Sequence, residues 1–167
     1  MPCDMLSDVR AFHEKFRIDY AGRPRFLPKD LLEFRLKFLH EELVEYHLNQ
    51  LPLPGGVSDG IVTEHLAKQL DSLVDLIYVA IGTAYLQGFD IEEAWRRVHA
   101  ANMTKIRTRR AEDSTRHSVY DVVKPPNFVP PDHTDLVRDH AHSHRKVELE
   151  PIPPGAQAIL DAQKRDK

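Results

Sequence analysis

The chain has 167 residues, with 23 Lys and Arg against 26 Asp and Glu and a formal charge of −3, which favours one domain with a tail over two full domains. The near-balance of charge excludes the basic surplus that wrapping a nucleic-acid polymer requires, and a single cysteine, Cys3, excludes a disulfide framework and fits a reducing cytosol. Charges interrupt MPCDMLSDVRAFHEKF where a secretion signal would need an apolar stretch, and the longest apolar run, Leu73 to Leu86, is broken by Asp75, so neither a signal nor a bilayer-spanning helix is expected.

Proline marks the domain boundary. Seven of the 12 prolines lie at or beyond Pro125, and none lies between Pro54 and Pro125. This predicts an all-α body over residues 1–110, an extended arm over 111–135 that covers the active site, and a flexible tail over 136–167. The first helix is expected over Asp4 to Arg17, with Leu6, Val9, Phe12, His13 and Phe16 on one stripe. The second starts at Pro28, where proline suits the first turn, and runs to Asn49. The third runs from Thr63 to Gln87 and stops at Gly88. Asp90 then reads as an N-cap with Glu93 as the other half of a capping box, and the fourth helix runs through IEEAWRRVHAANMTKIR. Strand-like alternation is absent from this region.

Carboxylates interrupt the apolar faces. In HEELVEY, Glu42 falls within the arc of Leu31, Phe38, Leu39 and Tyr46, and Glu45 lies on the same side. Asp75 is the one charge between Leu73 and Leu86, a segment apolar nearly all round that should be largely buried and needs a second copy of the chain for full cover, and Asp71 lies one turn earlier on its face. Four converging carboxylates repel unless a cation joins them, and Mg²⁺ with oxygen ligands answers that need. EExxE alone is common on solvated helix faces, and Asp75 alone could pair with an arginine such as Arg35. The metal reading rests on two acidic pairs lying on the apolar faces of adjacent helices. On the fourth helix, Asn102 and Lys105 supply the amide and ammonium that a polyphosphate needs beside such a cluster.

HEELVEY, LDSLVDLIYVAIGTAYLQGFD and VHAANMTK together resemble the all-alpha nucleoside triphosphate pyrophosphohydrolases, over about Val9 to Lys105. That superfamily includes MazG-like proteins, dimeric dUTPases and phosphoribosyl-ATP pyrophosphohydrolases. SVYDVVKPPNFVPPD is similar to the ending of short stand-alone MazG-like proteins, many of them from phages. The resemblance implies a four-helix MazG-like bundle that binds Mg²⁺, with Mn²⁺ as a substitute, through Glu42, Glu45 and Asp75. Its second ExxD acid would fall at position 72, where this chain has Ser72 with Asp71 beside it, so Asp71 is the stand-in. The resemblance also implies cleavage between the α and β phosphates of a (d)NTP, substrate contacts from Asn102 and Lys105, and a homodimer or homotetramer. Glu41 is the best-placed extra carboxylate for orienting or deprotonating the attacking water.

A phosphoribosyl-ATP pyrophosphohydrolase ranks second, because the Pro-rich tail is foreign to that subgroup, and Ser72 leaves open a catalytically inactive binding module. In the arm, Lys124 lies within an apolar strap of Val122, Val123, Pro125, Pro126, Phe128 and Pro130. It would bring a positive charge to the substrate if the strap docks near the site, and otherwise keeps a linker soluble. Phe16, Phe34, Phe38 and Trp95 read as core before they read as a base pocket. His140, His142 and His144 alternate in the tail and are assigned no role. The expected partner is a nucleotide, with no nucleic-acid polymer and no membrane, in the cytoplasm or in a host cytoplasm if the chain is phage-encoded.

Overall fold

The computed structural model describes residues 4–50 and 55–141. In chain order these form α1 (Met5–Lys15), α2 (Lys29–Leu48), α3 (Asp59–Leu86), α4 (Ile91–Asn102), β1 (Ile106–Arg107), a short 3-10 turn (Ala111–Asp113), β2 (Val122–Val123) and α5 (Thr134–Val137). Among the described residues the fold is all-α, with one two-stranded antiparallel ribbon that joins the end of the body to the arm. No helix among the described residues is long and apolar enough to cross a membrane.

Local chemistry sets the helix ends. Asp4 caps α1 by accepting from the Ser7 amide at 3.2 Å and its hydroxyl at 2.6 Å. Gly88 ends α3 at φ +70°, and a Cβ there would stand 2.7 Å from the Gly22 carbonyl oxygen, so the stop needs glycine twice over. Asp90 caps α4 by accepting from the Glu93 amide at 3.0 Å. The Glu93 side chain does not complete the capping box; it turns to Arg96 and Arg97 instead.

α2 and α3 form the principal packed pair, α1 lies against α3, and α4 touches α3 only lightly. The three main helices meet at an unusual polar knot. His13, 1% exposed, uses its Nδ1–H to donate to the Ile18 carbonyl at 3.1 Å. Arg35 donates from Nη2 to the Val79 carbonyl at 2.6 Å and from Nε to Thr83 Oγ1 at 3.0 Å. Gly82 makes room for both. A Cβ on it would stand 2.6 Å from His13 Nε2 and 3.0 Å from Arg35 Nη2.

Burial, aided by the Arg35 charge, holds the His13 imidazole below its ordinary value of 6.5. The folded state therefore favours neutral His13, and the stability it contributes is full above pH 6.5 and lost as pH falls below it. Gly82→Ala overpacks the knot and is expected to cost about 1–3 kcal/mol. At roughly 2–4 °C per kcal/mol for a chain of this size, a thermal melt reads this directly, and an unchanged midpoint would show that the knot has slack.

Within one chain the segment Leu73 to Leu86 is buried only in part: Leu73, Val74 and Ile77 are exposed and continue a stripe begun by Leu66 and Leu70. α1, α2 and, lightly, α4 pack on α3, and this stripe is left exposed among the described residues. One expectation needs correction. The fourth helix ends at Asn102 rather than continuing through Arg107. Beyond it Ile106 pairs with Val123 and Arg107 with Val122, and this β-branched pairing with a segment 15 or more residues away competes successfully with a frayed helix end.

Candidate active site

Glu42 is the centre of the site. It lies on the inward stripe of α2 with Leu31, Phe38, Leu39 and Tyr46, all half-buried, and is itself only 8% exposed. Burial holds its carboxyl above the ordinary 4.5, and Asp75, Glu45, Asp71 and Glu41 push the same way, in that order. No basic side chain among the described residues forms an ion pair with it. The sequence-predicted carboxylates are thus brought into one electrostatic group between α2 and α3.

The group is more open than the sequence implied. Glu45, Asp71 and Asp75 are exposed. Glu41 also faces solvent and pairs with Lys37 at 3.6 Å. The charge fits a divalent cation, but among the described residues no three metal-ligating side chains close a cage by themselves. Ser72, in contrast, is 2% exposed. It lies about 60° around α3 from Asp75 and Asp71 about 40° on the other side, so the position lacking its acid is the one turned inward.

Beside Asp75 opens a cleft of about 300 Å³ lined by Phe12, His13, Arg35, Phe38, Tyr78 and Val79. Phe12 and Tyr78 stand edge to face, 5.5 Å between ring centroids. Arg35 lies in its wall, with no carboxylate partner among the described residues; it bonds Val79 and Thr83 rather than Asp75. Of the four aromatics read as core, only Phe38 lines this cleft; Phe16, Phe34 and Trp95 are exposed, Trp95 at 70%. Phe12 and Tyr78 were not singled out as site residues. The signal that could have found the cleft is Gly82, a glycine inside an apolar helix, which marks close approach by a neighbour.

The remaining predicted residues gather at the end of α4. Asn102 is its exposed last residue, and its carbonyl accepts from the Lys105 amide at 3.1 Å. Lys105 is half-buried, and Lys124 is exposed with Nζ 5.1 Å from the Phe128 ring centroid.

The arm folds back along the body. Arg97 on α4 grips Asp135 of α5 through two bonds, 2.6 and 2.8 Å, and donates to the Asp132 carbonyl at 2.7 Å. That fork pulls the Asp135 carboxyl down to about 2. Arg23 then pairs with Asp139 at 2.9 Å, and the Ala141 amide donates to the Pro24 carbonyl at 2.8 Å. Ordered contacts therefore run to residue 141, past the expected start of a flexible tail at 136. His142 and His144 of the alternating histidines lie outside the described residues.

The all-α body, with a carboxylate group between its paired helices, is consistent with the MazG-like all-alpha pyrophosphohydrolase fold. Residues 9–102, more than half of the chain, match the phosphoribosyl-ATP pyrophosphohydrolase family, and the chain belongs to that family. Membership implies a hydrolase of acid anhydrides, a pyrophosphohydrolase acting on a nucleotide. The match ends at Asn102, and the Pro-rich arm lies outside it. No curated protein matches the chain.

Proposed function

We propose that the protein is a Mg²⁺-dependent pyrophosphohydrolase that converts a (deoxy)nucleoside triphosphate and water to the monophosphate and pyrophosphate. The observation that carries this reading is the buried Glu42 carboxyl, opposed by Asp75, Glu45, Asp71 and Glu41 and forming no ion pair of its own among the described residues, at the edge of an aromatic cleft. Glu42, Glu45, Asp75 and Asp71 would hold Mg²⁺, or Mn²⁺ in its place, with substrate phosphates and water completing its oxygen shell. When bound, the ion screens the polyphosphate and stabilises charge on the leaving pyrophosphate.

The side chains supply the rest. Phe38, Phe12 and Tyr78 stack on the base in a cleft at the small end of ligand-site volumes. Glu41 orients the attacking water and takes its proton as the oxygen bonds the α phosphorus and the bond to the bridging oxygen breaks. Asn102, Lys105 and Lys124 hold sugar and phosphate. The uncovered stripe of α3 supports a homodimer or higher homo-oligomer.

A second reading, hydrolysis of a phosphoribosyl-ATP, is favoured by the family match itself. Pyrophosphate release from a panel of (d)NTPs and phosphoribosyl-ATP separates the two. Release from no member of the panel would favour an inactive binding module.

Ser72→Glu tests the missing acid. Because position 72 is buried, the variant should lower the melting temperature without Mg²⁺ and tighten apparent Mg²⁺ affinity by roughly tenfold, on the scale of one added charged ligand. Asp71→Asn should weaken the same titration if Asp71 is the stand-in ligand. An unmoved midpoint in both titrations would remove α3 positions 71 and 72 from the metal site.

Truncation after Arg110 removes Lys124, Asp135 and Asp139 together. The body should remain folded, since its packed helices lie upstream, while KM rises by about tenfold for a lost charged contact. Full turnover at unchanged KM would show that the arm has no part in substrate binding.

A further inference from the structure

The ribbon of the arm sorts its charges by face. Ile106 opposes Val123 and Arg107 opposes Val122, and the Thr108 amide continues the ladder to the Asp121 carbonyl at 3.2 Å. Carrying that register one residue the other way sets Lys105 opposite Lys124. Side chains alternate along each strand and opposed residues share a face. Lys105, Arg107, Val122 and Lys124 therefore stand on one face, and Arg109 follows Arg107 in the alternation. Ile106, Thr108, Asp121 and Val123 stand on the other. Thr108 is buried, while Arg107 and Arg109 on either side of it are exposed; Ile106 is exposed as well and Lys105 half-buried, so the two faces are told apart by register rather than by burial.

Acidic neighbours do not neutralise the basic face. Arg110 is answered by Glu112 and Asp113, and Arg116 by Asp121 at 2.8 Å, with Asp121 held on the opposite face by Ser114 and its own chain. Lys105, Arg107, Arg109 and Lys124 have no carboxylate partner among the described residues. Two lysines directly opposed destabilise a ribbon, and here two arginines extend the same row beside a depression of about 490 Å³ lined by Ile106, Arg107, Thr108, Arg109 and Val119. Four cations that the register sets along one face, in a chain whose net charge is negative, suit a multiply charged anion.

We propose that this face is a binding site for a condensed phosphate chain, in which Arg107 and Arg109 join Lys105 and Lys124. The identity of the anion rests on the pyrophosphohydrolase reading; the chain is either the phosphate tail of the nucleotide or released pyrophosphate. Guanidinium forks suit phosphate oxygens bidentately, while the lysines act as point charges. Because β1 and β2 come from segments on either side of a long loop, the anion would also fasten the arm to the end of α4.

The test uses the full chain and the exposed double variant Arg107→Gln/Arg109→Gln, with Arg107→Lys/Arg109→Lys as the charge-preserving control. Tripolyphosphate is titrated calorimetrically in EDTA, so that no metal at the carboxylate group can hold it. Wild type should bind, the glutamine variant should lose about tenfold or more in affinity for its lost charged contacts, and the lysine variant should recover most of it. Steady-state assays with Mg²⁺ then distinguish the sources. A rise in KM with kcat within about twofold identifies the substrate tail, and unchanged KM with weakened pyrophosphate inhibition identifies the product. Equal tripolyphosphate binding by wild type and glutamine variant, or none by wild type, would overturn the proposal. So would tighter binding of a single-stranded oligonucleotide than of tripolyphosphate through the same arginines. If no nucleotide is hydrolysed, the enzymatic reading fails, and the metal-free titration still decides the anion face.

Discussion

Glu42→Gln should abolish turnover and, at the same time, raise the melting temperature of the metal-free protein. The two effects have one cause. Glu42 is buried, and its charge is opposed by Asp75, Glu45, Asp71 and Glu41, so an amide of the same shape relieves both a desolvation cost and a repulsion. The gain should be roughly 2–4 °C for each kcal/mol relieved. Catalysis moves the other way, because the amide removes the best-buried candidate ligand. Loss of groups that merely orient metal ligands costs about 10–100-fold, so loss of a ligand itself should cost at least that much. Differential scanning calorimetry in EDTA and a pyrophosphate-release assay in Mg²⁺ read the two arms. A destabilised variant would mean that Glu42 has an unrecognised partner, and an active one would move the site elsewhere.

The second large effect concerns assembly. Leu66, Leu70, Leu73, Val74 and Ile77 follow helical spacing along α3 and are exposed, Leu70 at 64%. A contiguous apolar stripe on a helix of 28 residues, about 42 Å long, exceeds the scattered exposed side chains of ordinary surfaces. A second copy of α3 laid against it gives a self-complementary interface. Sedimentation equilibrium at micromolar concentration should report a multiple of 19.2 kDa, and Leu70→Glu/Ile77→Glu should shift it to the monomer. A monomeric wild type would contradict the assembly and leave the stripe to another occupant. Asp71 and Asp75 share this helix, so the double variant should also lower activity if the assembled state shapes the site.

What the sequence disclosed followed the range of the interactions concerned. α1 to α4, the Asp90 cap and the Gly88 stop were legible, since each is written within a few residues. Glu42 was legible for the same reason: a carboxylate in the middle of an apolar stripe is a local contradiction. The ribbon was not, because Ile106 and Val123 meet across an intervening loop. Neither was the Arg97–Asp135 clamp, which joins residues 38 positions apart. That Leu73 to Leu86 needs cover from beyond its neighbours was legible, but apolar periodicity shows that a face needs covering and does not show what covers it. The cleft lay between these cases. His13 was placed on the inward stripe of α1, but its meeting with Arg35 over Gly82 required three helices at once.

The site of bond cleavage tests the central reading most directly. Hydrolysis of the best nucleotide in ¹⁸O-labelled water, followed by ³¹P NMR with Mg²⁺ and with EDTA, identifies the phosphorus attacked. The proposed chemistry predicts Mg²⁺-dependent formation of pyrophosphate and a nucleoside monophosphate carrying the label. Labelled inorganic phosphate with a nucleoside diphosphate, or equal turnover in EDTA, would contradict it.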